Sequence, residues 1–189
     1  DLSDASIAED ETYTLELSAS DIDGDDLTFE ASVDGNGDVS VDGFILTVIP
    51  NADFDEAIIV SVVASDGEAS GSGTFTLTVT PVNDEPTISD IATQTINEDD
   101  SLSIPIFASD VDEDDLTLSA SGDNATASFD GTTLIVTPNE NYNSDISGDI
   151  VVTVDAADAE YTGSTIFTLI VNPVNDAPTL DELIDASED

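Results

Sequence analysis

Thr74-Phe75-Thr76-Leu77-Thr78-Val79-Thr80 runs directly into Pro81-Val82-Asn83-Asp84-Glu85-Pro86-Thr87. In the first stretch Phe75, Leu77 and Val79 alternate with threonines, so every second side chain falls on one face, as in a half-buried β-strand. The second stretch ends that strand, because two prolines and an Asn-Asp pair cannot continue a ladder and read as a linker. The same two signals return later. Phe167, Leu169 and Val171 alternate, and Pro173-Val174-Asn175-Asp176-Ala177-Pro178-Thr179 follows.

Working outward, other landmarks repeat in the same order. Glu9-Asp10 recurs as Glu98-Asp99 and again as Glu188-Asp189. Ala19-Ser20-Asp21-Ile22-Asp23-Gly24-Asp25-Asp26-Leu27-Thr28 recurs as Ala108-Ser109-Asp110-Val111-Asp112-Glu113-Asp114-Asp115-Leu116-Thr117. Pro50-Asn51 before Phe54 matches Pro138-Asn139 before Tyr142. The spacing is about 90 residues, an ordinary size for a small β domain. The expected organisation is a first repeat over 1–82, a second over 83–174, and residues 175–189 as a linker with the opening strand of a third repeat. That last strand lacks its own sheet, so residues 179–189 are expected as a loose tail or paired with an exposed edge of a neighbouring molecule.

Each repeat carries further alternating runs: Tyr13/Leu15/Leu17/Ala19, Leu27/Phe29/Ala31/Val33 and Val60/Val62/Ala64 in the first, and Leu102/Ile104/Ile106, Leu116/Leu118/Ala120 and Val152/Val154/Ala156 in the second. Asp42-Gly43 and Asp130-Gly131 sit between short apolar runs and read as hairpin turns rather than ligands. No segment has helical periodicity. About seven such strands per repeat predict an all-β chain of two tandem Greek-key sandwiches of the immunoglobulin type.

Composition narrows the chemistry. The 189 residues include 44 Asp and Glu and no Lys, Arg, His, Cys, Met or Trp, a formal charge of −44. There is no imidazole base, thiolate, Schiff-base amine or cationic oxyanion holder, so catalysis is not expected. A two-carboxylate glycosidase is formally open, but 7 Phe and 3 Tyr are few for the aromatic contacts of a sugar site. Nucleic acid and anionic membranes, which are bound through Lys and Arg, are excluded as partners. No apolar run reaches the roughly 18 residues of a spanning helix, and no basic-then-apolar secretion signal is present.

The apolar fraction of 39% is patterned, which argues for folding rather than an acidic disordered tail. Two unit charges about 4 Å apart repel by about 1 kcal/mol even in water. Dozens of carboxylates therefore call for an external cation, and an oxygen-seeking divalent ion suits them.

Three motifs concentrate oxygen. Asp21-x-Asp23-x-Asp25 and Asp110-x-Asp112-x-Asp114 place alternate carboxylates beside a turn, either as a calcium site or as a solvated acidic loop. An EF-hand is rejected, since its sixth and twelfth positions hold Asp26 and Ser32. Asn83-Asp84-x-Pro86 and Asn175-Asp176-x-Pro178 read as linkers or as ligands, and the Glu-Asp pairs open the strand that leads to Asp-x-Asp.

Together with Ala64-Ser65-Asp66 and Ala156-Ala157-Asp158, these motifs resemble cadherin repeats, and more closely the tandem cadherin-like repeats of large RTX-type bacterial surface adhesins. The resemblance spans essentially the whole chain. It implies two cadherin/immunoglobulin-like modules in an elongated arrangement, with Ca2+ bound where modules meet. Carried across, it assigns Glu9, Asp10, Asn83, Asp84, Asp110, Asp112 and Asp158 to one calcium junction, with Asp53, Asp55 or Glu56 as further foot ligands. It assigns Asp21, Asp23 and Asp66 to a second site, and Glu98, Asn175 and Asp176 to a third. Cadherin linkers open with Asp where this chain has Pro81 and Pro173, so one ligand per junction is missing and fewer ions are expected.

The function this resemblance implies is a secreted, cell-surface spacer stiffened by calcium, serving adhesion or biofilm formation, with neighbouring repeats of the same chain as its partners. Two other readings stay open: a calcium-dependent carbohydrate-binding module and a homophilic adhesion module, with a polysaccharide or another surface adhesin as partner. A sugar platform needs exposed aromatics. Most Phe lie on inward phases, leaving Tyr142 and Tyr161 as the expected outward pair.

Overall fold

The chain divides into two compact units, Asp1–Asn83 and Asp84–Asp189, and the computed structural model describes residues 2–178. The first unit packs two sheets face to face. One has the order β1-β7-β6-β3, from β1 (Ala5–Ala8), β7 (Ser70–Thr80), β6 (Ala57–Ser65) and β3 (Thr28–Val33). The other has the order β2-β5-β4, from β2 (Tyr13–Glu16), β5 (Ile45–Pro50) and β4 (Gly37–Asp42). β1 runs parallel to β7, pairing Ala5 with Leu77 and Ala8 with Thr80, while the remaining pairs are antiparallel. This is the Greek-key sandwich that the alternation predicts.

The second unit repeats the plan. β9 (Gln94–Asn97) runs parallel to β16 (Thr162–Asn172), which continues through β15 (Ile150–Ala157) to β12 (Thr117–Gly122). The facing sheet is β10 (Leu102–Pro105), β14 (Thr133–Pro138) and β13 (Ala125–Asp130). A small extra ladder joins β8 (Thr87–Ile88) to β11 (Ala108–Ser109).

Both cores use the same repeat positions. Leu46, Val48, Ile58, Val60, Phe75, Leu77 and Val79 fill the first, and Leu134, Val136, Ile150, Val152, Phe167, Leu169 and Val171 the second. Each of the larger side chains contributes about 1.5–3 kcal/mol by leaving water. The turns repeat as well. The hairpins close at Gly43 (φ 60°) and Gly131 (φ 61°), left-handed conformations that glycine adopts without a Cβ penalty.

Several expectations need correction. Glu9 and Glu98 do not open a strand; each follows a short one, β1 or β9, whose pairing with the last strand of its unit is non-local and leaves little trace in a four-residue pattern. The chain then reverses at Asp10 (φ 62°) and Asp99 (φ 66°) to cross to the other sheet. The alternation after Leu17 stops, and Ala19 is exposed. One helical turn, α1 (Ser144–Ser147), is too short to show periodicity. Tyr142 is buried, its hydroxyl donating to the Gly148 carbonyl at 2.8 Å. Phe44 and Phe107 are the exposed phenylalanines, beside exposed Tyr161. The expected orphan strand at 179–189 lies outside the described residues. Among those described, no helix is long and apolar enough to cross a membrane.

Leu46→Ala and Leu134→Ala remove fully buried side chains, and each should destabilise its own unit by about 2–5 kcal/mol. Ile166→Thr, at a position 64% exposed, should stay within about 0.5 kcal/mol. Chemical denaturation of the three variants measures both.

Candidate metal centre

In the second unit the loop after β11 bends back on itself, with Glu113 in the left-handed region (φ 61°). This lets one carboxylate gather backbone donors. Asp110 Oδ1 accepts from the amides of Asp112 (3.0 Å) and Asp114 (3.3 Å). Asp112 Oδ2 in turn accepts from the amide of Asp84 at 2.8 Å, which ties the start of the unit to this loop. Asp158, in the turn between β15 and β16, accepts through Oδ1 from the amides of Glu160 and Tyr161 at 2.5 and 2.6 Å.

Two observations make this more than a solvated turn. Asp110 Oδ2 is buried, and no donor among the described residues reaches it. A buried anionic oxygen without a donor is costly unless a cation supplies the missing interaction. Second, the Asp114 carboxyl is held above the usual carboxylate range, first by partial desolvation and then by the charges of Asp110, Asp112, Asp158 and Asp115. Five carboxylates thus share one neighbourhood, and every donor atom they offer is a hard oxygen.

The equivalent loop of the first unit is more open. Asp21 Oδ1 accepts from Asp23, Gly24 and Asp25 at 2.8, 3.1 and 3.5 Å. Asp66 Oδ1 accepts from Ala69 and Glu68, both at 2.7 Å, and these bonds hold its carboxyl below the ordinary value of 3.8. Asp21 and Asp66 line one cavity, whereas Asp23 is exposed.

The Glu-Asp pairs have a different role from the loops. Glu9 and Glu98 are each only 5% exposed. Glu9 Oε1 accepts from the Val82 amide and Glu98 Oε1 from the Val174 amide, so each buried carboxylate clasps the chain leaving its own unit. Glu98 Oε2 also accepts from Asn143 Nδ2 at 3.4 Å, and Asn143 Oδ1 is buried without a donor among the described residues.

Of the residues singled out from sequence, Asp84, Asp110, Asp112 and Asp158 lie in the second unit and share its acidic loop cluster, while Glu9, Asp10 and Asn83 belong to the first. Asp10 is exposed at its turn. Asn175 and Asp176 are exposed, with Asn175 Nδ2 donating to the Asp176 carbonyl, whereas Glu98 is buried and accepts from the Val174 amide. The resemblance assigns neither Asp114 nor Asn143 to a site. Asp114 lies within the acidic motif, but Asp158, which joins Asp110, Asp112 and Asp115 around it, comes from a distant turn. Asn143 follows the buried Tyr142 and has no local signal.

A family model described as a bacterial Ig domain matches residues 1–80 and again 83–172. Among solved structures, the EC1-2 fragment of human protocadherin-24 is similar over 91% of this chain and 95% of its own, at 16% identity and a TM-score of 0.54. At that identity the likeness is one of fold. The human desmocollin-1 ectodomain shares 10% identity over 94% of this chain and 42% of its own, with a TM-score of 0.45. An endo-fucoidan hydrolase of glycoside hydrolase family 107 shares 18% over 92% of this chain, with a TM-score of 0.39, and the chain spans 28% of its length. No curated protein matches the sequence.

Asp114 gives a pH test. A carboxyl with a raised folded-state pKa binds its proton more tightly folded than unfolded, so its charge lowers stability above the unfolded value and not below it. In chelator, Asp114→Asn should raise the melting temperature of the second unit at pH 7. The gain should vanish below the ordinary value of 3.8, as melting curves at pH 7 and pH 3 will show.

Proposed function

Because the chain belongs to the bacterial Ig domain family, we propose that its two modules are calcium-binding extender units of a surface protein displayed outside the bacterial cell. The observation that carries this reading is Asp110 Oδ2, a buried carboxylate oxygen with no donor among the described residues, in a chain that has no cationic side chain of its own. Calcium takes six to eight oxygens in flexible geometry, which carboxylate clusters on loops supply more readily than the near-ideal octahedron magnesium demands.

Asp84, Asp110, Asp112 and Asp158 would hold an ion in the second unit, joined by Asp114. Glu9, Asp10 and Asn83 are proposed as further donors to it. Asp21, Asp23 and Asp66 would form a second, weaker site, and Glu98, Asn175 and Asp176 a third. The ion neutralises charge that otherwise opposes folding, and an extender whose stability depends on it becomes stiff only where calcium is abundant. Sugars of a polysaccharide matrix or another surface adhesin would be the targets of the parent protein, with these modules as spacers. The absence of imidazole, thiol and amine groups supports a non-enzymatic role.

Calorimetric titration with calcium, paired with melting in chelator, tests the reading. Saturable binding is expected near the roughly 10⁻⁴–10⁻³ M range of extracellular modules. Calcium at a hundredfold excess over Kd should add about 2.7 kcal/mol per site. Asp110→Asn should abolish the tightest site and most of that gain, and small-angle scattering should register a change in maximum dimension when the ion is stripped. No binding heat, with identical melting in calcium and chelator, would sink the proposal.

A further inference from the structure

Both units make the same turn into an edge strand, and the two turns differ in the residue that follows an asparagine. β3 runs into β4 through Asp34-Gly35-Asn36, and β12 runs into β13 through Asp123-Asn124. Asn36 (φ 61°) and Asn124 (φ 64°) both stand in the left-handed region, and both are exposed. Each carbonyl accepts from the amide of the asparagine after a strand-ending proline, Asn51 to Asn36 at 2.9 Å and Asn139 to Asn124 at 2.8 Å. The next residue is Gly37 in the first unit and Ala125 in the second.

That difference governs a reaction. The backbone nitrogen of the residue after an asparagine can attack the asparagine side chain, and a side chain on the attacking residue obstructs it. Glycine has none. Asn36 is exposed next to Gly35 (φ 131°), so its side chain is able to rotate toward the following nitrogen. Gly37 stands opposite Pro50, and the Asn51–Asn36 bond makes this a non-hydrogen-bonded pair. The Gly37 amide therefore takes no part in the ladder and points to the open side of β4, the edge strand of its sheet. Packing also keeps a glycine here, because a Cβ at 37 would come within 2.8 Å of the Ile49 carbonyl oxygen.

We propose that Asn36 is a self-modifying site, converting to aspartate and isoaspartate without an enzyme. The Gly37 nitrogen loses its proton and forms a bond to Asn36 Cγ, while the Cγ–Nδ2 bond breaks. The side-chain nitrogen leaves as ammonia, carrying a proton equivalent to the one Gly37 gave up, and a succinimide ring remains. Water then opens the ring at either carbonyl. One opening restores the main chain with aspartate at 36, and the other routes the main chain through Cγ as isoaspartate. Both add one negative charge, and neither needs an oxidant or reductant. Isoaspartate also turns the former main-chain carbonyl into a carboxylate outside the chain path, so the Asn51 amide loses the acceptor held in line with it. Asn51 begins the loop between β5 and β6, which that bond anchors. Asn124 shares the turn and the exposure, but the Ala125 methyl group opposes the attack.

Incubation of the full chain at neutral and mildly alkaline pH, followed by mass-spectrometric fragmentation of the intact chain, tests this. The mass gain of an amide-to-acid exchange should accumulate at Asn36, faster at the higher pH because the attacking nitrogen must lose its proton. Isoaspartyl methyltransferase should label the same site, and Asn124 should stay unmodified over the same period. Asn36→Gly keeps the left-handed turn and removes the reacting side chain, so the gain should disappear. Ala125→Gly should create a second reactive site at Asn124. Neither variant adds a Cβ that folding must accommodate. Hydrogen exchange at the Asn51 amide should lose protection in the isoaspartate fraction and keep it in Asn36→Gly. An Asn36 that retains its mass overturns the proposal, as does an Asn124 that converts as fast as Asn36. An Asn51 amide that stays protected in the isoaspartate fraction overturns the loosening of its loop.

Discussion

A carboxylate in this chain can find no ammonium, guanidinium or imidazolium partner in its own sequence. Its interactions are limited to backbone amides, a few hydroxyls and side-chain amides, water, or a cation from solution. The structure follows that restriction. Asp21, Asp66, Asp110 and Asp158 each collect two or three backbone N–H groups at a turn, and the two buried glutamates each clasp the amide of the chain leaving their unit. Hydrogen bonds to an ionised acceptor are about twice as strong as neutral ones. They fix the loops where apolar burial cannot.

This substitution of amides for cations has a limit, reached at the acidic loop of the second unit. Backbone donors satisfy one oxygen of Asp110 and leave the other sealed without one. Desolvation first, and then the neighbouring charges, raise the pKa of Asp114, so the cluster is a place where folding has concentrated repulsion rather than relieved it. The corresponding loop of the first unit, with Gly24 where the second has Glu113, leaves Asp23 exposed where Asp112 is half-buried. Two copies of one motif have therefore arrived at different electrostatic conditions. In the second unit the segment at 84–88 lies against the loop, with the Asp84 amide donating to Asp112.

The all-β class, the two repeats and the inward face of nearly every long strand were legible in sequence, because alternation at period two and recurrence at about 90 residues are local or self-referential signals. So were the acidic loops, since Asp-x-Asp-x-Asp is contiguous. The short strands at 5–8 and 94–97 were not legible. They exist only through parallel pairing with strands some 70 residues away, and four residues carry too little pattern to announce that. Nor was the burial of Tyr142 or Glu98, the exposure of Phe107, or the sealing of one Asp110 oxygen without a donor among the described residues. Sequence by itself determined which residue types and which periodicity this protein has, and hence its fold. Only the tertiary structure decided which carboxylate oxygens are sealed from water and donors, because burial depends on what distant segments place overhead.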